Sequence, residues 1–161
     1  MRKISNIIGS FERVITIILM ATITVVLFFN VIFRYFLKDP IFWANEASIF
    51  MMAWLTFLGG SLSLKYKSQA SITFIVNRLT ERNKRILNIV THLIILISLG
   101  LLIYISLDWI LSLTGTKSSS MRIPMWIPYL SVPVGLTFAF VHILNHFLEF
   151  IKDDEQGRES L

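Results

Sequence analysis

The sequence predicts an all-α membrane protein, built from four transmembrane helices with a short amphipathic helix lying at the cytoplasmic surface. Three observations predict this fold. The 161-residue chain is 55% hydrophobic with a mean hydropathy of +0.69, and only 16% of it is charged, whereas about a quarter of a soluble domain is charged. Four runs contain no Asp, Glu, Lys or Arg, over 14–33, 47–64, 86–107 and 123–148, and each suffices for the roughly 20 helical residues that a hydrocarbon core demands. The cationic residues are also unevenly shared between the connecting segments: with four spans, eleven lie on the side of the two termini and four on the other. By the rule that basic loops stay inside, both termini are cytoplasmic.

The whole chain, 1–161, reads as one domain without internal repeat or low-complexity linker. Span one is expected over about 14–36. Arg2 and Lys3 before it imitate a secretion signal, but the run is too long, lacks a small-residue cleavage site and is followed by the interfacial pair Arg34-Tyr35. Span two is expected over about 43–64, and its Gly59-Gly60 pair predicts close helix packing. An amphipathic segment over about 70–82 follows. In "SITFIVNRLTERNKR", Ile72, Ile75, Val76 and Leu79 fall at i, i+3, i+4 and i+7, while Arg78, Arg82, Lys84 and Arg85 form a basic side facing anionic head groups. The alternative is a plain lead-in to span three, expected over about 86–108 and ended by Asp108 and Trp109. Span four, about 126–149, opens with "RIPMWIPYLSVPVG"; Pro124, Pro128 and Pro133 predict that regular helix begins only after the last of them, with Trp126 and Tyr129 at the outer interface. The tail "KDDEQGRES" is polar, and no further span follows it, which favours a separate chain for any larger membrane partner.

The net charge of +5 is a topology signal rather than a nucleic-acid footprint, because its residues sit on loops between spans. The lack of cysteine removes disulfides and thiolate metal sites. No Ser-His-Asp set, phosphate loop, catalytic carboxylate pair or zinc motif is present, so nothing requires an enzyme. Asn30, Arg34, Asp39 and Glu46 crowd the outer ends of spans one and two. Ionisable groups there are costly unless paired, wetted or drawn to the interface. Arg34 and Glu46 are therefore expected to pair with each other or with groups on a partner chain, the alternative being simple head-group anchoring. Asn30, one turn before Arg34, is expected to bond a neighbouring helix. His142 and His146 stand at i and i+4, a spacing that suits metal or haem, with His92 as a third candidate; no Cys, Asp or Glu completes a ligand pattern, Glu149 being the nearest carboxylate. The chain has little midplane polarity and no repeated halves, both of which a self-sufficient transporter usually needs. A helper subunit fits better.

The order Asn30-Val31-x-x-Arg34-Tyr35, Pro40-x-x-Trp43-x-x-Glu46 and Trp54-x-x-Phe57-Leu58-Gly59 resembles the small membrane subunit of tripartite ATP-independent periplasmic (TRAP) transporters. "IPMWIPYLSVPVG", with Pro124, Trp126, Tyr129, Pro133 and Gly135, is similar to the segment opening that family's last helix. The likeness runs from about Ile7 to Phe150. It departs after span two, where the family often has a His-Ile-x-Val-Asp element: here Gln69 to Thr73 reads "QASIT", only Ile72 is kept, and no role of that histidine or aspartate carries over. The resemblance implies a non-catalytic, cofactor-free subunit of a sodium-driven bacterial inner-membrane importer. Its partners would be a large multispanning elevator subunit, which it scaffolds, and a periplasmic substrate-binding protein, whose docking face it helps form. The substrate would be a carboxylate, with sialic acid preferred over a C4-dicarboxylate. On this reading Asn30, Arg34, Tyr35, Trp43, Glu46, Trp54, Pro124, Trp126, Tyr129 and Pro133 are structural or partner-interface residues, and Arg78, Arg82, Lys84 and Arg85 a lipid-facing cytoplasmic surface. The alternatives are a small oligomeric transporter using Glu46 and a haem or metal protein using His142 and His146.

Overall fold

A computed structural model describes the backbone of residues 2–76 and 81–159, and the side chains among them outside 67–76, 81, 82, 84 and 153–159. The described residues form five α-helices: α1 (Arg2–Ile32), α2 (Phe42–Val76), α3 (Glu81–Ser112), the single turn α4 (Trp126–Tyr129) and α5 (Ser131–Glu159). Four stretches are long and apolar enough to cross a membrane: Arg2–Leu37, Phe42–Tyr66, Arg85–Ser112 and Trp126–Lys152. The protein is an all-α, multi-pass membrane protein.

Spatial order differs from chain order. α1 packs on α2, α2 on α5 and α5 on α3, while α1 and α3 share no comparable contact among the described residues. The helices thus form an open row with α2 and α5 inside it. Burial follows: 39% of the most apolar window of the last span is buried, against 6% for the first and 11% for the third. The chemistry is the reverse of a soluble bundle. All buried residues of α1 are small or polar, namely Ser5, Gly9, Glu12 and Asn30, while Ile7, Phe11, Val14, Ile18 and Phe28 face outward. Where hydrocarbon surrounds the protein, apolar side chains gain little by hiding, and small residues and interhelical hydrogen bonds hold helices together. An apolar cluster of Leu99, Ala139 and Ile143, flanked by Ile95, Leu96, Leu136 and Phe140, joins α3 to α5.

Close packing of α2 on α5 occurs at Gly135, not at the glycine pair expected to provide it. A Cβ at Gly135 would lie 2.7 Å from Phe57 Cβ and 2.8 Å from that residue's carbonyl carbon and oxygen. At Gly59 and Gly60 a Cβ would meet nothing within 4 Å, so the pair is open to the surroundings. The start of the last span also differs from expectation. α4 makes one turn before Pro133, and α5 starts at Ser131, so that Pro133 falls in its first turn, where its missing N–H is harmless. Leu130 bridges the two, donating its N–H to Trp126 O at 2.9 Å and accepting that of Val134 at 3.2 Å.

α1 gives way to one π-helical turn, Phe33–Leu37, stopped by Lys38 in the left-handed region at φ 60. α2 runs on as helix to Val76, joining the first part of the expected amphipathic segment to span two without a break. Residues 77–80, with Arg78 and Leu79, lie outside the described residues, as do the side chains of Arg82 and Lys84; Arg85 is half-buried near the start of α3. The end of the row that carries Arg2, Lys65 and Glu149 is termed the terminal end. The end with Asn30, Glu46 and the 113–125 loop is the loop end.

Candidate functional site

The loop end is held by polar groups from three segments. On α1, Asn30 is buried and its Nδ2–H donates to Asn45 Oδ1 at 2.9 Å, fixing α1 against α2. One residue later, Glu46 receives the loop between α3 and α4. The loop folds back on itself: Ser118 N–H donates to Ile123 O at 2.8 Å, and Met125 N–H to Thr116 O at 2.9 Å. Gly115 at φ 104 and Arg122 at φ 57 make the turns. The fold aims three successive N–H groups at one carboxylate: Ser119 donates to Glu46 Oε1 at 3.0 Å, and Ser120 and Met121 to Oε2 at 2.9 and 2.7 Å. Consecutive amides of this kind make a concave anion receptor, and here a side chain of the same chain fills it.

The expected pairing of Arg34 with Glu46 is not formed. Both Glu46 oxygens are used by the loop, and Arg34, exposed in the π-helical turn, makes no ion pair among the described residues. The other expected interface residues fall into two groups. Tyr35, Trp43 and Trp126 are exposed at the loop end, beside Phe36 and Phe42, an arrangement that suits the lipid–water boundary or a protein partner. Trp54, Pro124, Tyr129 and Pro133 face the fold, with Tyr129 edge-on to Trp109 at 4.7 Å between ring centres. The structure thus joins Asn30 and Glu46 to α2 and the loop, and leaves Arg34, Tyr35 and Trp43 outside.

The terminal end holds a second cluster. His142 on α5 is fully buried, with Nε2 at 2.9 Å from Glu12 Oε2 and Nδ1 at 2.7 Å from Ser5 Oγ, both on α1. Lys65 of α2 lies across Gly9 and donates to Ser5 O at 3.1 Å; His146 Nε2–H donates to Lys65 O at 3.0 Å. Arg2 approaches Glu149 at 3.8 Å. His92 stays on its own helix, bonded through Nδ1 to Asn88 O at 2.8 Å and stacked on Phe147. The three histidines therefore do not converge. Among the described residues no group of three or more His, Cys, Asp or Glu is placed to hold a metal.

Glu12 is what inspection of the sequence missed. It lies before the uncharged run that starts at Val14, far from His142 in the chain. The signal was present: Ser5, Gly9 and Glu12 fall at i, i+4 and i+7, one face of a helix. The Glu46 receptor gave no such signal, since three backbone N–H groups carry no sequence mark.

A family model described as "Tripartite ATP-independent periplasmic transporters, DctQ component" matches residues 23–153. The chain is similar to the sialic acid TRAP transporter small permease protein SiaQ of Vibrio cholerae, 26% identical over 159 residues that cover 94% of this chain and 88% of the relative. The C4-dicarboxylate TRAP transporter small permease protein DctQ of the same organism is 24% identical, with 88% of this chain and 72% of the relative covered. The isethionate TRAP transporter permease protein DctMQ of Oleidesulfovibrio alaskensis is 27% identical over 85% of this chain, which spans 23% of that relative.

Proposed function

The chain belongs to the DctQ component family of tripartite ATP-independent periplasmic transporters, and from that premise we propose that it is the scaffolding small permease subunit of a sodium-driven importer of an organic acid. As a member of that family it is a transport component and not an enzyme. In the proposed arrangement the terminal end faces the cytoplasm and the loop end the periplasm, in a bacterial inner membrane. α1 and α3 pack on a large multispanning subunit, and the loop end contributes to the docking face for a periplasmic binding protein. Sialic acid is the preferred substrate and a C4-dicarboxylate the next, after the relatives that carry those names.

The observation that supports scaffolding best is the open row of helices. The outer two are the most apolar, at window hydropathies of 2.6 and 2.5, yet bury almost nothing within their own chain. A solitary transporter would enclose a polar path; an adaptor instead presents broad apolar flanks to a larger protein or to lipid. Glu46, the carboxylate on which a small self-sufficient transporter would rely, has its oxygens committed to the 119–121 backbone. His142, central to a haem or metal reading, has both ring nitrogens committed to Ser5 and Glu12.

Reconstitution tests this reading. Liposomes holding the chain alone should take up no sialic acid or dicarboxylate under a sodium gradient, and uptake should require the large subunit and binding protein from the same operon. Uptake by the chain alone would overturn the scaffold assignment and return Glu46 to the centre.

A further inference from the structure

The transport reading does not use the buried cluster on α1, and that cluster has the chemistry of a site. Glu12 and His142 are each fully buried in a part of the molecule made of membrane-spanning helices. An ionised carboxylate beside a neutral imidazole would leave a net negative charge there, which a low-dielectric surround strongly disfavours. The groups facing the pair do not neutralise it directly. Lys65 on α2 is directed to Ser5 O and Gly9 and makes no ion pair with Glu12. On α5, His146 is bonded to Lys65 O and Glu149 lies by Arg2; on α1, Arg13 is exposed.

Beside Asn30 Oδ1 at the loop end, two buried side-chain oxygens lack partners among the described residues: Glu12 Oε1 and Ser61 Oγ. They stand at similar depth. Ser61 lies about 24 Å inward from Asn45 along α2, and Glu12 about 27 Å inward from Asn30 along α1, at the rise of a helix, while Asn30 and Asn45 are bonded to each other. Ser61 is also one turn from Lys65, which reaches Ser5 and Gly9. Orphaned polar atoms at one level on facing helices are what a bridging water satisfies.

We propose that the junction of α1, α2 and α5 is an internal proton-binding site, in which Glu12 and His142 share one proton and a water links Glu12 Oε1 to Ser61 Oγ. The shared proton has two equivalent descriptions. Either the imidazolium donates from Nε2 to Glu12 Oε2, or a protonated Glu12 donates from Oε2 to Nε2. In both, His142 Nδ1–H donates to Ser5 Oγ. Without the proton Nε2–H donates to the carboxylate, Nδ1 is bare and the bond to Ser5 reverses, its Oγ–H donating to Nδ1.

Nitrogen NMR of the full chain, labelled at histidine and held in lipid nanodiscs, distinguishes these states. His92→Asn and His146→Asn assign the His142 resonances by subtraction without touching Glu12. The expected result at neutral pH is a protonated His142 Nδ1. A bare Nδ1 with a protonated Nε2 overturns the site, and the wild-type protein decides it even if variants of the pair fail to fold. Infrared spectra test the water: Glu12→Gln identifies the Glu12 band, and Ser61→Ala should shift that band. A band that stays in place overturns the bridge.

Discussion

One added methyl group should weaken the protein at Gly135 and leave it unharmed, or strengthen it, at Gly60. Both glycines lie within long helices, so Ala in place of Gly gains about 1 kcal/mol of helix propensity at either. Surroundings set them apart. At Gly135 the new Cβ would sit 2.7–2.8 Å from the Cβ and backbone of Phe57, against a comfortable carbon separation of about 3.5–4.0 Å. Backbone cannot swing aside as a side-chain tip can, so α2 and α5 must part by roughly 1 Å, and overpacking of this kind costs about 1–3 kcal/mol. Because the propensity gain is common to both variants, their difference isolates the steric term. Gly135→Ala should melt below Gly60→Ala by about 2–12 °C, at roughly 2–4 °C per kcal/mol for a chain of this size. Gly9→Ala should fall between them, since its Cβ would meet the flexible end of Lys65. Thermal unfolding of the purified variants in detergent, followed by tryptophan fluorescence, makes the comparison. Equal melting of Gly135→Ala and Gly60→Ala would refute the close approach of α2 and α5 on which the open row is built.

The loop end yields three further expectations. A double-mutant cycle of Asn30→Ala and Asn45→Ala should give a coupling of about 0.6–1.7 kcal/mol, the range of interhelical hydrogen bonds in membrane proteins; additive losses would mean that the 2.9 Å bond contributes nothing. Glu46→Gln sets an NH2 against backbone donors, so the amides of Ser119, Ser120 and Met121 should exchange hydrogen faster than in the parent while those of α5 do not. Unchanged exchange would show that the loop holds its shape without the carboxylate. Arg34→Ala should lower transport or assembly of the complex and leave the choice of solute unaltered, because Arg34 lies outside the chain's own hydrogen-bonded clusters; a changed solute preference in competition uptake would contradict that.

Hydropathy made the four spans legible because a membrane imposes one length and one composition on everything that crosses it. Contacts were harder to read. In a lipid-facing bundle the apolar pattern marks what points outward, so the informative residues are the few small and polar ones. Asn30 stood out by that logic, and the structure gives it the interhelical bond expected of it. Gly59-Gly60 stood out equally and packs against nothing, because a small residue permits a close approach without compelling one; Phe57 and Gly135 make that approach instead. Glu12 lies outside the uncharged run that begins at Val14, although its spacing from Ser5 and Gly9 places all three on the inner face. Glu46 was expected to meet Arg34 or a group on a partner chain: a carboxylate in a sequence invites a search for cations, whereas within this chain the backbone of 119–121 supplies its partners. The spatial order of the helices, with the last span inserted between the second and third, follows from contacts 73 to 137 residues apart in sequence, such as Glu46 with Ser119 and Ser5 with His142, which no local pattern encodes.

Co-purification tests the scaffold account most directly. The chain, tagged and expressed from its native operon, is extracted in mild detergent and its companions are identified and quantified. The account predicts one large multispanning permease in equal amount, retained by contacts that cross-link to α1 or α3. Recovery of the chain alone, or only as copies of itself, would contradict it.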